Sequence, residues 1–320
     1  MTRSLKVAAL AGGVGGAKFA DGLSRCLPPD DLTVIVNTGD DFEHLGLTVC
    51  PDLDTVCYTL AGMANPQTGW GLKGETFHAL ESLEALGGPE WFHVGDQDLG
   101  THLERTRRLK LGQTLSQVTS HFCEAWKIRP RVLPMTDGPA PTVVLTSEGE
   151  LPFQEYFVHR QCLPRVSGFR FEGIEQARPA PGVLEALRTA DLVVFCPSNP
   201  WVSINPILAV PGVRRELEEG RRRRGLPVVA ISPIIGGKTV KGPAAKMFSE
   251  LGIVPSALAV AEHYGRLCSG FVLDLLDEKL VPEVQRLGLQ TLATGTLMNS
   301  DADRLRLAVE VLDFFGGVRK

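Results

Sequence analysis

The chain runs to 320 residues, 43% hydrophobic and 22% charged, with a formal net charge of −4. That length supports one large domain or a core carrying an inserted subdomain, and so small a net charge supplies no field to draw in nucleic acid or an anionic membrane. Seven cysteines without a Cys-x-x-Cys pair, seven histidines without a zinc spacing, and the lack of a long apolar run or signal peptide lead us to expect a cytoplasmic protein with reduced thiols, no zinc site and no membrane span.

Leu5 to Leu10 is a short apolar run that reads as a buried strand, and Lys18 to Leu27, with Phe19, Leu23 and Leu27 on one face, reads as a helix. Between them stands Ala11-Gly12-Gly13-Val14-Gly15-Gly16-Ala17-Lys18. Glycine at such density implies positive φ angles or a ligand pressed against bare backbone. A strand that turns through glycines into a helix gathers unpaired N–H groups and the positive end of the helix dipole at one point, which favours a phosphate. The dinucleotide fingerprint would need a third glycine at Lys18, and a P-loop would need Gly-Lys-Ser/Thr where the chain has Gly16-Ala17-Lys18-Phe19. The stretch therefore reads as a generic phosphate loop or as a tight turn opening a parallel sheet.

Leu32 to Asn37 is a second strand ending in Thr38-Gly39-Asp40-Asp41, and Pro51-Asp52-Leu53-Asp54-Thr55 opens a helix through Val56, Tyr58 and Leu60. The aspartates could simply cap helices. Yet Asp40, Asp41, Asp52 and Asp54 beside a phosphate loop would repel one another unless a cation sat among them, and magnesium, which prefers oxygen ligands and substrate phosphates, is the expected one. Trp70 to Leu86 reads as a loop and helix, followed by the acidic turn Gly95-Asp96-Gln97-Asp98 and a basic helical stretch from Thr101 to Arg108. Those arginines either meet phosphates or solvate a face. Leu115 to Trp126 is a further amphipathic helix.

From Arg131 to Val158 the pattern changes to alternation, with Thr142 to Thr146 and Phe153 to Val158 flanking Ser147-Glu148-Gly149-Glu150, the signature of an antiparallel hairpin. Strand and helix units then resume. Asp191 to Cys196 and Leu226 to Ile231 are buried strands that end in Ser/Pro/Gly-rich polar loops, at the sheet edge where ligands gather. Arg214 to Gly220 and the run Arg221 to Arg224 read as a helix with a solvated basic end. Strands near Ala257 to Ala261, Phe271 to Leu275 and Gln290 to Ala293, and a helix from Ala302 to Phe315, complete the chain. The expected architecture is α/β, a Rossmann-like three-layer parallel sheet over 1–69 and 179–320, with an inserted α+β subdomain over 70–178 that contains the antiparallel hairpin.

Taken in order, Gly12-Gly13-Val14-Gly15-Gly16-Ala17-Lys18, Asn37-Thr38-Gly39-Asp40-Asp41, Pro51-Asp52-Leu53-Asp54-Thr55, Gly95-Asp96-Gln97-Asp98, Pro197-Ser198-Asn199-Pro200 and Ser232-Pro233-Ile234-Ile235-Gly236 resemble the 2-phospho-L-lactate transferase family. The resemblance implies an enzyme of coenzyme F(420) biosynthesis. Such an enzyme joins 7,8-didemethyl-8-hydroxy-5-deazariboflavin to a phospholactyl or phosphoenolpyruvyl group carried on guanosine diphosphate, releases GMP, uses magnesium and acts as a homodimer. It places the deazaflavin at Asp54 and at His93, where relatives often carry Arg or Lys; Gln97 likewise stands where Arg is common. Combined with the loops above, it leads us to expect the guanosine diphosphate part at Gly12, Gly13, Val14, Gly15, Gly16, Ser198, Asn199, Pro200, Ser203 and Gly236. Asp40, Asp41, Asp52 and Asp54 are the expected magnesium ligands, with Asp40, Asp41 and Asp54 catalytic. Two other readings are an NAD-dependent oxidoreductase, which the missing third glycine disfavours, and a nucleotide-sugar-binding regulator sharing the glycine-rich start.

Overall fold

A computed structural model describes residues 4–316; the chain ends, 1–3 and 317–320, lie outside it. Seven parallel strands form the central sheet. Their spatial order is Gln290–Thr294, Gly270–Asp274, Val228–Ile231, Leu192–Phe195, Val7–Ala11, Leu32–Val36 and Arg131–Pro134. Alternation along each strand divides the core in two. Ala8, Leu10, Ile35, Val193 and Phe195 pack on one face, while Val7, Ala9, Ala11, Val34, Val36 and Val194 pack on the other. Both faces are covered, as a parallel sheet requires. On the second face lie the helices Gly13–Cys26, Pro51–Leu60 and Asp301–Phe315.

Strand order reverses beside Val7–Ala11: the chain runs to one side through Leu32–Val36 and Arg131–Pro134, then returns to the other side at Leu192–Phe195. Loops leaving the carboxyl ends of Val7–Ala11 and Leu192–Phe195 therefore diverge, and a crevice opens between them. That reversal positions the site.

The sequence reading needs four corrections. Helix Gly13–Cys26 begins among the glycines rather than after them. Arg131–Pro134, expected in the inserted region, pairs in parallel with Leu32–Val36 as the edge of the central sheet. The antiparallel hairpin exists, but Thr142–Thr146 pairs with Gly149–Pro152 and with Val166–Phe171 instead of with Phe153 to Val158. That last segment coils into a wide helical turn, Glu155–His159, because its buried residues Phe153 and Tyr156 are three apart and Phe153 stacks on Phe157 at 5.4 Å, a helical spacing that overrides the alternation. Ala257 to Ala261 lies in the helix Ala257–Tyr264: its alanines favour helix, and the Ser256 hydroxyl caps it by accepting from the Ala259 N–H at 3.0 Å. The run Arg221 to Arg224 does end the helix Val213–Arg224, stopped by Gly225 at φ 60°.

Candidate active site

At the strand-order reversal, Gly12 is extended and Gly13, at φ 63°, turns the chain into the first helix. The other glycines are explained by close approach. A side chain at Gly12 would meet Asp52 Oδ2 at 2.5 Å and Ser203 Cβ at 2.7 Å, and one at Gly15 would overlap the Pro197 carbonyl oxygen. Ser198 locks the two diverging loops together: its hydroxyl donates to the Gly12 carbonyl at 2.8 Å and accepts the Gly12 N–H at 3.2 Å. The Gly13 N–H donates to Asp52 Oδ1 at 2.7 Å. Farther along, the Val14 and Gly15 N–H groups have no preceding helical turn to donate to, and both residues line a cavity of about 860 Å³.

Two groups of carboxylates border that cavity. Asp40 and Asp52 share the Asn37 amide, which donates to Asp40 Oδ1 at 3.1 Å and to Asp52 Oδ2 at 2.9 Å. Burial, then repulsion from Asp52, holds Asp40 well above the usual carboxylate range, and burial pushes Asp52 up to about 6. Buried anions compensated only by neutral donors are the chemistry that a hard divalent cation satisfies. The residues fit magnesium in that respect.

The second group stands on facing helices. Asp54 is ion-paired with Arg105 of the helix Asp96–Lys110, and both are buried. Arg105 also donates to the Thr48 carbonyl at 3.3 Å and approaches His102 Nδ1 at 3.2 Å. Tyr58 donates to Asp98 Oδ1 at 2.5 Å, and Asp98 Oδ2 lies 3.6 Å from His102 Nε2. Burial raises Asp54 above its ordinary value although Arg105 and His102 pull it down. Burial would raise Asp98 too, but the His102 ring and the Tyr58 hydroxyl bring it below the usual range. Ligand atoms of Asp54, Asp98 and His102 lie within 4.8 Å of one another, a spacing that could also hold a metal ion.

The expected site residues divide accordingly. Gly12, Gly13, Val14, Gly15, Asp40, Asp52, Asp54, His93, Ser198, Asn199 and Ser203 line one cavity, whereas Asp41, Gly16, Pro200 and Gly236 do not. Gly16 is in the helix, where a Cβ would crowd Ser198 Oγ at 2.6 Å; Pro200 is buried; and the Gly236 N–H is taken by Asp277 Oδ2 at 2.9 Å. Asp41 has a buried Oδ1, and burial, eased by the Cys50 thiol, keeps it well above the ordinary carboxylate value. The Asn199 side chain is occupied as well, accepting from the Trp201 N–H at 3.0 Å. Sequence reasoning missed Asp98, His102 and Arg105. The i, i+4 spacing of Asp98 and His102 was the available signal. Arg107 pairs with Glu104 in solvent, Arg108 is half-covered and also pairs with Glu104, and of the three arginines Arg105 alone is buried.

A family model described as 2-phospho-L-lactate transferase CofD matches residues 7–308. The phosphoenolpyruvate transferase of Streptomyces coelicolor is 45% identical over 322 residues, covering 99% of this chain and 100% of its own. That of Mycobacterium tuberculosis is 42% identical over 290 residues, covering 84% and 86%. Among solved structures, a Bacillus halodurans protein of the UPF0052 family superposes with a TM-score of 0.62 at 17% identity, over 96% of this chain and 99% of that one, a likeness of fold. Fold, cavity and sequence relatives together define a Rossmann-like α/β transferase acting on small molecules. The chain belongs to the 2-phospho-L-lactate transferase CofD family.

Proposed function

We propose that this enzyme moves a phosphoenolpyruvyl or phospholactyl group from a guanosine-diphosphate-linked donor to the ribityl hydroxyl of 7,8-didemethyl-8-hydroxy-5-deazariboflavin, releasing GMP, in coenzyme F(420) biosynthesis. The observation that carries this reading is a single cavity bordered at one place by the free N–H groups of a helix N-terminus and at another by the aromatic residues Trp91, Phe92 and Phe153 with the Asp54 and Asp98 carboxylates. Such a cavity takes a diphosphate against the helix dipole and a flat heterocycle against the rings. Relatives carrying the name phosphoenolpyruvate transferase favour the enolpyruvyl donor.

In this account Val14 and Gly15 hold the diphosphate through backbone N–H groups, with Ser198 fixing the loop beneath them. Lys18, whose ammonium donates to the Met298 carbonyl at 2.8 Å, adds positive charge on the same side of the cavity. Asp40 and Asp52 would hold magnesium, which neutralises charge on the non-bridging phosphate oxygens during transfer. Asp54 and His93 meet the acceptor. Most of the catalysis is then alignment of hydroxyl and phosphorus and exclusion of water. We take the enzyme to be a cytoplasmic homodimer; its seven free thiols suit a reducing compartment.

Fluorescence titration separates this reading from that of a nucleotide-sugar-binding regulator. Deazaflavin should bind saturably and UDP-sugars should not displace it; displacement by UDP-sugars, or no deazaflavin binding, contradicts the proposal. A pH prediction accompanies it. Between about 4 and about 6, folded Asp52 keeps a proton that the unfolded chain has released, so its contribution to stability falls as pH rises through that window and is gone above it. Magnesium competes with the same proton, so its affinity, measured by calorimetry, should climb from about pH 5 to about pH 7. An affinity flat across that range would place the cation elsewhere.

A further inference from the structure

Two lysines line the cavity: Lys18 of the first helix and Lys241 of the loop before the helix Ala244–Glu250. Strand order separates them from the aspartates. Asp40 and Asp54 follow Leu32–Val36, on one side of Val7–Ala11. Lys241 follows Val228–Ile231, and the Met298 carbonyl that Lys18 holds follows Gln290–Thr294, both on the other side. Geometry ties both lysines to the first turn of the helix. Lys18 stands four residues after Val14 on the same helical face, and a helical side chain leans toward the N-terminus. A side chain at Gly69 would meet Val14 Cγ1 at 2.6 Å and Lys241 Nζ at 3.3 Å, so Val14 and the Lys241 ammonium pack around one point.

Each ammonium is held by a neutral oxygen: Lys18 donates to the Met298 carbonyl at 2.8 Å and Lys241 to the Thr68 carbonyl. Among the described residues neither has a carboxylate within 4.0 Å. Burial, then the charges of Arg304 and Lys241, keeps Lys18 below the ordinary lysine range, and Asp303 offsets this in part. An ammonium has three donors, so both lysines can take an anion without releasing their carbonyls. Two cations that repel one another at a cavity wall, beside the start of a helix, mark a place that an anion completes.

We propose that Lys18 and Lys241 seat the phosphate of GMP, first as the guanosine-side phosphate of the donor and then as that of the released product. The proposal rests on the function given above, and it assigns Lys241 to the donor. It also orders the donor along the cavity. The guanosine-side phosphate lies at the lysines, and the transferred phosphorus lies toward Asp40 and Asp52, on the Leu32–Val36 side of the strand-order reversal. The three-carbon acid travels with the transferred phosphorus, so its carboxylate is carried away from the lysines toward the acceptor. What stays with them is the phosphate of GMP, which a compact ammonium recognises as a point charge.

The test uses the full chain, with magnesium in every titration, and the variants Lys18→Met, Lys241→Met and Lys241→Arg, each checked for folding by thermal melting. Lys241 is exposed, so its substitution leaves the core untouched and keeps the test open should Lys18→Met not fold. Affinities for GMP and for guanosine are measured by calorimetry. Guanosine lacks the phosphate, so the ratio of the two reads the phosphate seat alone. Each methionine variant should lose about tenfold in GMP affinity, with guanosine and deazaflavin affinities unchanged. Lys241→Arg, which keeps the charge, should stay within about threefold of wild type. A folded Lys241→Met variant with the wild-type ratio overturns the proposal. So do variants that lose affinity for the complete donor but not for GMP, which would put the three-carbon acid at the lysines. If GMP behaves as expected and no deazaflavin product forms, the functional reading fails and the phosphate seat stands. Product formation with GMP binding indifferent to both lysines fails the seat and leaves the reading.

Discussion

Exchanging Asp54 for Asn should remove about 3 kcal/mol of stability and nearly all transfer activity. The stability loss comes from Arg105. Arg105 is 2% exposed and Asp54 is its ion-pair partner; its other hydrogen-bonding contacts, the Thr48 carbonyl and His102 Nδ1, carry no negative charge. Stacking of the guanidinium 5.8 Å over Phe122 cannot replace a counterion. A buried cation stripped of its partner costs about 3–5 kcal/mol, whereas replacing a whole buried pair with apolar groups is often neutral. The double variant Asp54→Asn/Arg105→Met should therefore recover most of the stability while remaining inactive. Urea unfolding and GMP release together test this. A single variant as stable as wild type would mean that the ion pair does not hold the two helices as described.

Gly15→Ala is the second large effect. The added methyl would overlap the Pro197 carbonyl oxygen, a contact between two main chains in which neither side has a rotamer to escape into. Either the first helix or the loop after Leu192–Phe195 must retreat, at about 3 kcal/mol. Because that helix presents the Val14 and Gly15 N–H groups, the shift should also cost about 100-fold in rate. Gly13→Ala provides the contrast. No atom lies within 4 Å of its added methyl, but its φ of 63° disfavours a side chain, so the penalty should stay near 1 kcal/mol, as backbone strain alone. Denaturant midpoints and rates for both variants decide between the causes; a Gly15→Ala enzyme as stable and fast as wild type would contradict the close packing of the two loops.

Much of the central sheet was legible because parallel strands buried on both faces read as short apolar runs, and Val7–Ala11, Leu32–Val36, Leu192–Phe195 and Val228–Ile231 all do. The same feature misled at Ala257 to Ala261, where a short apolar run fits a strand or a buried helix equally well and only the Ser256 cap separates them. Arg131–Pro134 joins the sheet beside a strand almost a hundred residues earlier, a pairing that no local pattern encodes. At the site, glycines and aspartates announced themselves by density. What stayed hidden was direction. Asp41 follows Asp40 in the chain yet does not line the cavity, because neighbouring residues in a turn diverge. Arg105 differs from Arg107 and Arg108 only in helix phase, and the sequence could not show which of them the protein interior would enclose.

Incubating the enzyme with magnesium, deazaflavin and each guanylated donor in turn, and weighing the products by mass spectrometry, tests the central claim most directly. The account predicts a deazaflavin adduct carrying the phosphorylated three-carbon acid, formed in step with GMP and most readily from the enolpyruvyl donor. Unchanged deazaflavin with every donor, in the presence of folded enzyme and magnesium, would contradict it.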